Sequence, residues 1–341
     1  MIDELINEIK TYNKKSNLEL IRRAYEFARE AHKGQKRISG EEFIEHPLET
    51  AKILAKLRLD DNSIIAALLH DVVEDTTISL KDIEEKFGKE VAELVDGITK
   101  ITELKAKTSS TKQAESVRKM LVASTKDLRV IIIKLADKLH NMRTLEALNE
   151  ERKKKVAKEA MEIYAPLAYR LGLASIKWEL EDLAFRYLEP EIYKKFKEKV
   201  NRKRKQREKD VENLIDVLKE ELGKHNLNPE ISGRPKHFYS IYKKMKKKNY
   251  GFDDIYDLLA LRVVTDNVEN CYNIIGVIHN LWQPLHKHFS DYIANPKPNM
   301  YQSLHTVVVG PRKQSIEIQV RTKKWMRLLK RVLLLTGDIK M

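Results

Sequence analysis

Apolar residues recur at helical spacing through the first 190 positions: Ile21, Ala24, Tyr25, Phe27 and Ala28 in one stretch, Ile64, Ile65, Ala67, Leu68 and Leu69 in another. Glycine and proline are sparse there and fall at breaks, namely Gly34, Gly40, Pro47, Gly88, Gly97, Pro166 and Pro190. Pro47 follows His46, which predicts an extended or helix-entry position for the histidine. The polar run from Ser109 to Glu115 reads as a loop. After Pro229 the period changes. DLLALRVVT (257–265) reads as a buried strand, His305–Gly310 as a second, and SIEIQVR (315–321) alternates strictly. That alternation turns Ile316, Ile318 and Val320 to a core and leaves Glu317, Gln319 and Arg321 on the other face. Helices are expected at about 238–248 and 268–282. The fold class is therefore multidomain, all-α followed by a small mixed α/β domain: residues 1–190, a basic helical connector 191–224, and 225–341.

The connector holds the sequence KKFKEKVNRKRKQREK (194–209), with ten basic and two acidic residues. It reads as a solvated helix, with a phosphate- or RNA-facing surface as the other reading. Over the whole chain of 341 residues, 65 Lys and Arg against 51 Asp and Glu leave a charge of +14, which favours anionic partners without choosing among them. No run approaches the ~18 apolar residues of a membrane span, and the acidic, amphipathic start is unlike a signal peptide. Cys271 is the only cysteine, which excludes an internal disulfide and a Cys-based zinc site and fits a reducing cytoplasm.

The chemistry of the first half concentrates in AALLHDVVEDT (66–76). On a continuous helix His70 and Glu74 would share a face, with Asp71 and Asp75 beside them. Four such groups interrupting an apolar helix are costly to bury unless a cation compensates. GEEFIEHPL contributes His46, and IIIKLADKLHNMRT sets Asp137 and Asn141 four apart on another apolar helix. Two histidines and two carboxylates suit Mn²⁺, Fe or Zn²⁺ with positions open to water, an arrangement that activates water toward phosphorus. The second half has no GxxxxGK[ST] loop. GRPKHFYSIYKKMKKK (233–248) instead offers Arg234, Lys236, Lys243 and Lys244 for polyphosphate, and Asp257 and Glu317, on neighbouring strands, would chelate Mg²⁺.

H…HD…D is the pattern of the HD phosphohydrolase superfamily. Longer strings narrow the resemblance to the RelA/SpoT-homologue family, synthetases and hydrolases of the alarmone (p)ppGpp. They are HKGQKRISGEEFIEHPL, AALLHDVVEDT, LVDGITKI, RKMLVAS, RVIIIKLADKLHNMRTL, IYAPLAYRLGL and IKWELEDLAFRYLEP, in order over residues 20–322 with GRPKHFYSIYKKM, IYDLLALRVVT, DYIANPKPNMYQSLHT and IEIQVRT. The resemblance implies an HD hydrolase domain holding Mn²⁺ through His46, His70, Asp71 and Asp137 and removing the 3′-pyrophosphate of ppGpp or pppGpp. Glu74 and Asp75 match the acidic pair that positions or activates water; Arg37 matches a guanine-contacting arginine, and Asn141 and Thr144 match nucleotide contacts. For the second half it implies a nucleotidyltransferase-like synthetase that moves the β,γ-pyrophosphate of ATP to the 3′-hydroxyl of GDP or GTP. Asp257 and Glu317 would bind Mg²⁺ there, with Glu317 also the base. Tyr301 would stack on guanine, His305 would contact the acceptor's phosphates, and Arg234, Lys236, Lys244 and Lys297 would hold phosphate.

Two departures bear on the synthetase. Where the family has RFKD in bifunctional members, or EFDD in some synthetase-only ones, before YIA, this chain has His288-Phe289-Ser290-Asp291, a neutral serine where RFKD has its lysine, and Met300 precedes the stacking tyrosine. Losing one such charge costs about 10²–10³ in rate. After EIQVRTK the family continues with a phrase of the type M..(I/V)AE.GVAAHW, whereas this chain reads KWMRLLKRVLLLTGDIKM. One legal spelling of Trp325–Lys340, read one base earlier, yields MDEIAEKGVAAHWRYK. A one-base deletion in the A-rich codons of Lys323–Lys324 is therefore expected in the encoding DNA, leaving residues 324–341 poorly packed and the synthetase domain and any regulatory region incomplete. The competing readings are a hydrolase with a nucleotide-binding but inactive synthetase domain, a basic RNA- or ribosome-binding module, and a generic HD phosphodiesterase. The family's ribosome-sensing region lies downstream of the matched part, which argues against the second; GRPKHFYS and YQSLHT argue against the third.

Overall fold

In the computed structural model the described residues are 1–106, 127–202, 204–233, 237–248, 259–285, 288–298, 301–311 and 313–325. Contacts divide them into two units. Met1–Ala168 and Ala174–Leu188 form the first; Tyr169–Leu173 and the residues from Glu189 onward form the second.

The first unit is helical. It comprises α1 (Ile2–Lys10), α2 (Leu18–Ala31), α3 (Glu45–Lys56), α4 (Asp61–Leu69), α5 (Val72–Asp75), α6 (Leu80–Phe87), α7 (Lys89–Ala106), α8 (Leu128–Arg143), α9 (Glu150–Glu159), α10 (Ala165–Arg170) and α11 (Ala174–Leu188). Helix α4 is the centre of the bundle: Ser63 to Leu69 are all fully buried, and it packs against α2, α3, α7 and α8. At about 1.5–3 kcal/mol per buried Ile or Leu, this one helix is a principal source of cohesion. Arg129 fixes where the neighbouring helices begin. Its guanidinium donates to Asp60, the N-cap of α4, to Glu90 in the first turn of α7, and to Asp127, the N-cap of α8, at 2.6–2.7 Å. Gly97 lets α7 and α8 approach closely, because a Cβ there would stand 2.8 Å from a Val130 methyl.

One expectation is corrected. Residues 66–76 are not one helix: the chain turns at His70–Asp71, between α4 and α5. The His70 imidazole Nδ1 takes the Ala67 carbonyl oxygen at 2.8 Å, an acceptor that a continuing helix would give to the Asp71 N–H. Apolar periodicity continues across the turn, so pattern alone hides it.

The second unit contains α12 (Pro190–Arg202), α13 (Arg204–Lys224), α14 (Phe238–Lys248) and α15 (Val268–Leu281) with a six-stranded mixed sheet. Its strands are β1 (Glu230–Gly233), β2 (Leu259–Thr265), β3 (Gln283–Pro284), β4 (Ser290–Asp291), β5 (Leu304–Val309) and β6 (Ser315–Thr322), in the order β1-β2-β6-β5-β3 with β4 on β5. Among the described residues, β2–β6 is the parallel pair and the other pairs are antiparallel. Ile316, Ile318 and Val320 enter the core as expected, meeting Ile274 and Ile278 of α15 and Leu214, Leu218 and Leu222 of α13. The end of the 191–224 connector is thus part of this unit's core. The opposite face of β6 is less open than alternation suggests, since Gln319 and Arg321 are buried there too. Cys271 is buried in the same core, which pushes its thiol up to about 12.

Candidate metal centre and nucleotide face

Three helices bring the first unit's candidate residues together. His46 lies in the first turn of α3, His70 and Asp71 at the α4–α5 turn, and Asp137 midway along α8. Ligand atoms of His46, His70 and Asp137 lie within 4.8 Å of one another. His46 Nε2 is 3.3 Å from Asp137 Oδ1 and 3.7 Å from Asp71 Oδ2, and His70 Nε2 is 3.1 Å from Asp71 Oδ1. His46, His70 and Asp137 therefore face one point, and Asp71 lies beside both histidines.

The donor set fits a divalent cation. His70 is fully buried, and its Nδ1 proton goes to Ala67 O, so Nε2 carries a lone pair; that buried Nε2 has no hydrogen-bond partner. An unsatisfied buried acceptor of this kind is costly, and an ion removes the cost. His46 has the same preparation. Its Nδ1 is 2.6 Å from His140 Nδ1, so with Nε2 kept for the ion its proton lies between the two rings and His140 accepts it. Burial, together with the cations around it, pushes His140 down to about 3, and burial also lowers His46. Both rings are neutral at neutral pH, as ligation requires.

Asp137 is 3% exposed, and burial works against its charge. Lys134 and Lys138 outweigh that effect, holding its carboxyl well below the usual range from 2.9 and 3.3 Å on Oδ2. Oδ1 is left for the centre and accepts from Asn141 Nδ2 at 2.5 Å. Arg37 Nη2 in turn donates to Asn141 Oδ1 at 2.8 Å. Thr144, the C-cap of α8, donates to the His140 and Asn141 carbonyls. Glu74 and Asp75 sit on the exposed rim of α5, where burial still raises both carboxyls.

Sequence reasoning missed Lys134, His140 and His32. Lys134 and His140 stand three residues either side of Asp137, on its helix face, so helical spacing carried the signal. His32 stacks on Phe43 at 4.3 Å and bonds Gln35 through Nδ1.

In the second unit Glu317 lies on β6, registered with Ala260 of β2 and Val307 of β5. Gln319 Nε2 donates to it at 3.3 Å. Tyr301, His305 and Lys297 gather at one end of the sheet. The Tyr301 hydroxyl meets His305 Nε2 at 2.9 Å, and Lys297 Nζ lies 4.2 Å from the Tyr292 ring centre and 5.3 Å from that of Tyr301. Ser290 pairs with His305 across β4 and β5. Arg234, Lys236, Asp257, Met300, residues 326–341 and the side chain of Lys244 lie outside the described residues.

A family profile described as an HD domain matches residues 24–174, and one described as a region found in RelA/SpoT proteins matches residues 233–330. A GTP pyrophosphokinase of Myxococcus xanthus is 46% identical over 323 residues, 94% of this chain and 43% of that protein. A guanosine-3′,5′-bis(diphosphate) 3′-pyrophosphohydrolase of Aquifex aeolicus is 48% identical over 305 residues, 89% of this chain and 43% of that one. The bifunctional (p)ppGpp synthase/hydrolase SpoT of Escherichia coli K12 is 44% identical over 323 residues, 95% and 46% respectively. The chain spans less than half the length of these relatives. With the two profiles in order along it, one over the buried His–Asp cluster and one over the sheet, the chain belongs to the RelA/SpoT-homologue family.

Proposed function

We propose that this chain hydrolyses (p)ppGpp, releasing the 3′-pyrophosphate and leaving GDP or GTP. The observation that carries the reading is the convergence of His46, His70 and Asp137, with Asp71 beside both histidines and a buried His70 Nε2 that has no hydrogen-bond partner. We assign Mn²⁺ to these four side chains; when bound, it supplies Lewis acidity that makes water a nucleophile near neutral pH. Glu74 and Asp75, at the rim, take the proton of the attacking water. Water oxygen bonds to the phosphorus attached to the 3′ oxygen, the P–O bond to the ribose breaks, and the 3′ oxygen leaves as a hydroxyl by taking up the proton that the acidic pair removed from water. Arg37 offers a guanidinium plane to a purine, with Asn141 and Thr144 beside it.

For the second unit we propose transfer of pyrophosphate from ATP to the 3′-hydroxyl of GDP or GTP. Glu317 and Asp257 would hold Mg²⁺, Glu317 would accept the hydroxyl proton, Tyr301 would stack on the base, and His305, Lys297, Arg234, Lys236 and Lys244 would contact phosphates. The pairing of Ser290 with His305 favours a second reading, in which this unit binds nucleotide but transfers slowly, because a neutral hydroxyl stands where the RFKD pattern has a lysine. We place both activities in the cytoplasm, in keeping with a buried lone thiol and, among the described residues, no helix able to cross a membrane.

Two incubations test these assignments: the chain with ppGpp and Mn²⁺, and the chain with ATP, GDP and Mg²⁺, followed by separation of nucleotides. GDP with pyrophosphate in the first supports the hydrolase; ppGpp in the second supports the synthetase. No turnover in either, with salt-sensitive RNA binding, would replace both by a binding module.

A further inference from the structure

Arg37 sits on a turn closed by Arg37 N–H to Glu41 O and Gly40 N–H to Arg37 O, both 2.9 Å, with Gly40 at φ 88° where a side chain would be strained. Lys36 bridges Glu42 across its base. The guanidinium reaches from this turn to Asn141, one helical turn beyond Asp137 on α8. Each group in the chain Arg37–Asn141–Asp137 has its polarity set by chemistry. A guanidinium only donates, so the Asn141 atom facing it is the carbonyl oxygen; an ionised carboxylate only accepts, so the atom facing Asp137 is the NH₂.

We infer that Asn141 is a positioning residue that couples Arg37 to the metal ligand Asp137, so that affinity for the divalent cation depends on an arginine that touches neither the ion nor a ligand. The inference rests on the metal-centre reading above. Lys134 and Lys138 occupy Asp137 Oδ2, while Oδ1 meets Asn141 Nδ2 at 2.5 Å and His46 Nε2 at 3.3 Å; with His46 Nε2 given to the ion, Asn141 is the donor left to aim Oδ1. Arg37 holds the Asn141 amide in the one orientation that presents NH₂ to Oδ1; without it the amide is free to turn its oxygen toward the carboxylate. A purine stacked on the guanidinium face leaves the edge N–H groups in place, so nucleotide and cation binding reinforce each other.

The test is Mn²⁺ titration by calorimetry into the full chain and into Arg37→Ala, Asn141→Ala and the double variant. Simple charge repulsion predicts that removing a nearby cation tightens Mn²⁺ binding. The relay predicts the opposite sign: Arg37→Ala weakens binding about threefold and Asn141→Ala about tenfold. The double variant should bind no more weakly than Asn141→Ala alone. Unchanged or tighter binding in Arg37→Ala, or additive losses in the double variant, overturns the inference. If Asn141→Ala does not fold, Asn141→Ser takes its place in the cycle, and the sign of the Arg37→Ala effect decides alone. The same pattern in a chain that does not hydrolyse ppGpp supports the relay while removing the proposed reaction.

Discussion

The two units hold their candidate residues by different means. In the first, ligands are buried on three helices and locked by short bonds, Asp137 alone taking four contacts through both oxygens. In the second, Tyr301, His305, Lys297 and Tyr292 are half-buried at a sheet end, where the Tyr301–His305 hydrogen bond, edge-on ring contacts and the Lys297 ammonium over two rings bring them together. The first site is organised before anything binds; the second leaves its side chains room to adjust to a substrate. A site proposed to gather an ion from dilute solution would gain from rigidity, whereas one proposed to accommodate two nucleotides would gain from open edges.

This contrast breaks in definite ways. The largest effect is expected from Asp71→Ala, which should cut ppGpp hydrolysis at least about 10³-fold, near 4 kcal/mol of barrier, while leaving any synthesis unchanged in the ATP–GDP assay. Loss of both would mean the sites are not separable. Glu317→Gln should do the reverse, lowering synthesis by about 10²–10³ with hydrolysis intact.

Stability separates the sites next. Lys134→Met strips a buried partner from Asp137 and should cost about 3–5 kcal/mol in urea unfolding of the first unit. Lys297→Met should cost less than about 0.5 kcal/mol. Equal losses would erase the distinction drawn here.

The pH dependence adds a further, graded effect. His140 and His46 are held neutral below their ordinary range, so the unfolded chain takes up protons that the folded chain refuses. Stability of the metal-free protein should therefore fall as pH drops below 6.5, the ordinary value for histidine, by up to about 1.4 kcal/mol per pH unit for His140. His140→Asn should flatten the melting temperature between pH 6.5 and 5 by about half or more of the parent's slope.

Much of the architecture was readable from pattern because burial drives it. Strict alternation in SIEIQVR placed Ile316, Ile318 and Val320 correctly, and the helices near 238 and 268 follow from their period. The four candidate ligands came from motif strings; His46, His70 and Asp137 lie together in the fold, with Asp71 next to the two histidines. The turn at His70 was hidden, since hydrophobicity reports whether a residue is buried and not which carbonyl its side chain occupies. Lys134 and His140 were overlooked for a related reason: a charged or ring residue on an apolar helix is read as solvated unless its partner, distant in sequence, is known. Burial of Gln319 and Arg321 on the polar face of β6 escaped for the same cause.

The end of α4 at His70 carries one more consequence. A helix terminus of this kind concentrates partial negative charge on its last carbonyls, about half an elementary charge within one turn. A phosphate approaching this corner meets a pole of its own sign together with Asp71, Glu74 and Asp75. Entry should accordingly be ordered, the cation first and the nucleotide after it, and chelating the cation should abolish nucleotide retention on a column as completely as it abolishes turnover.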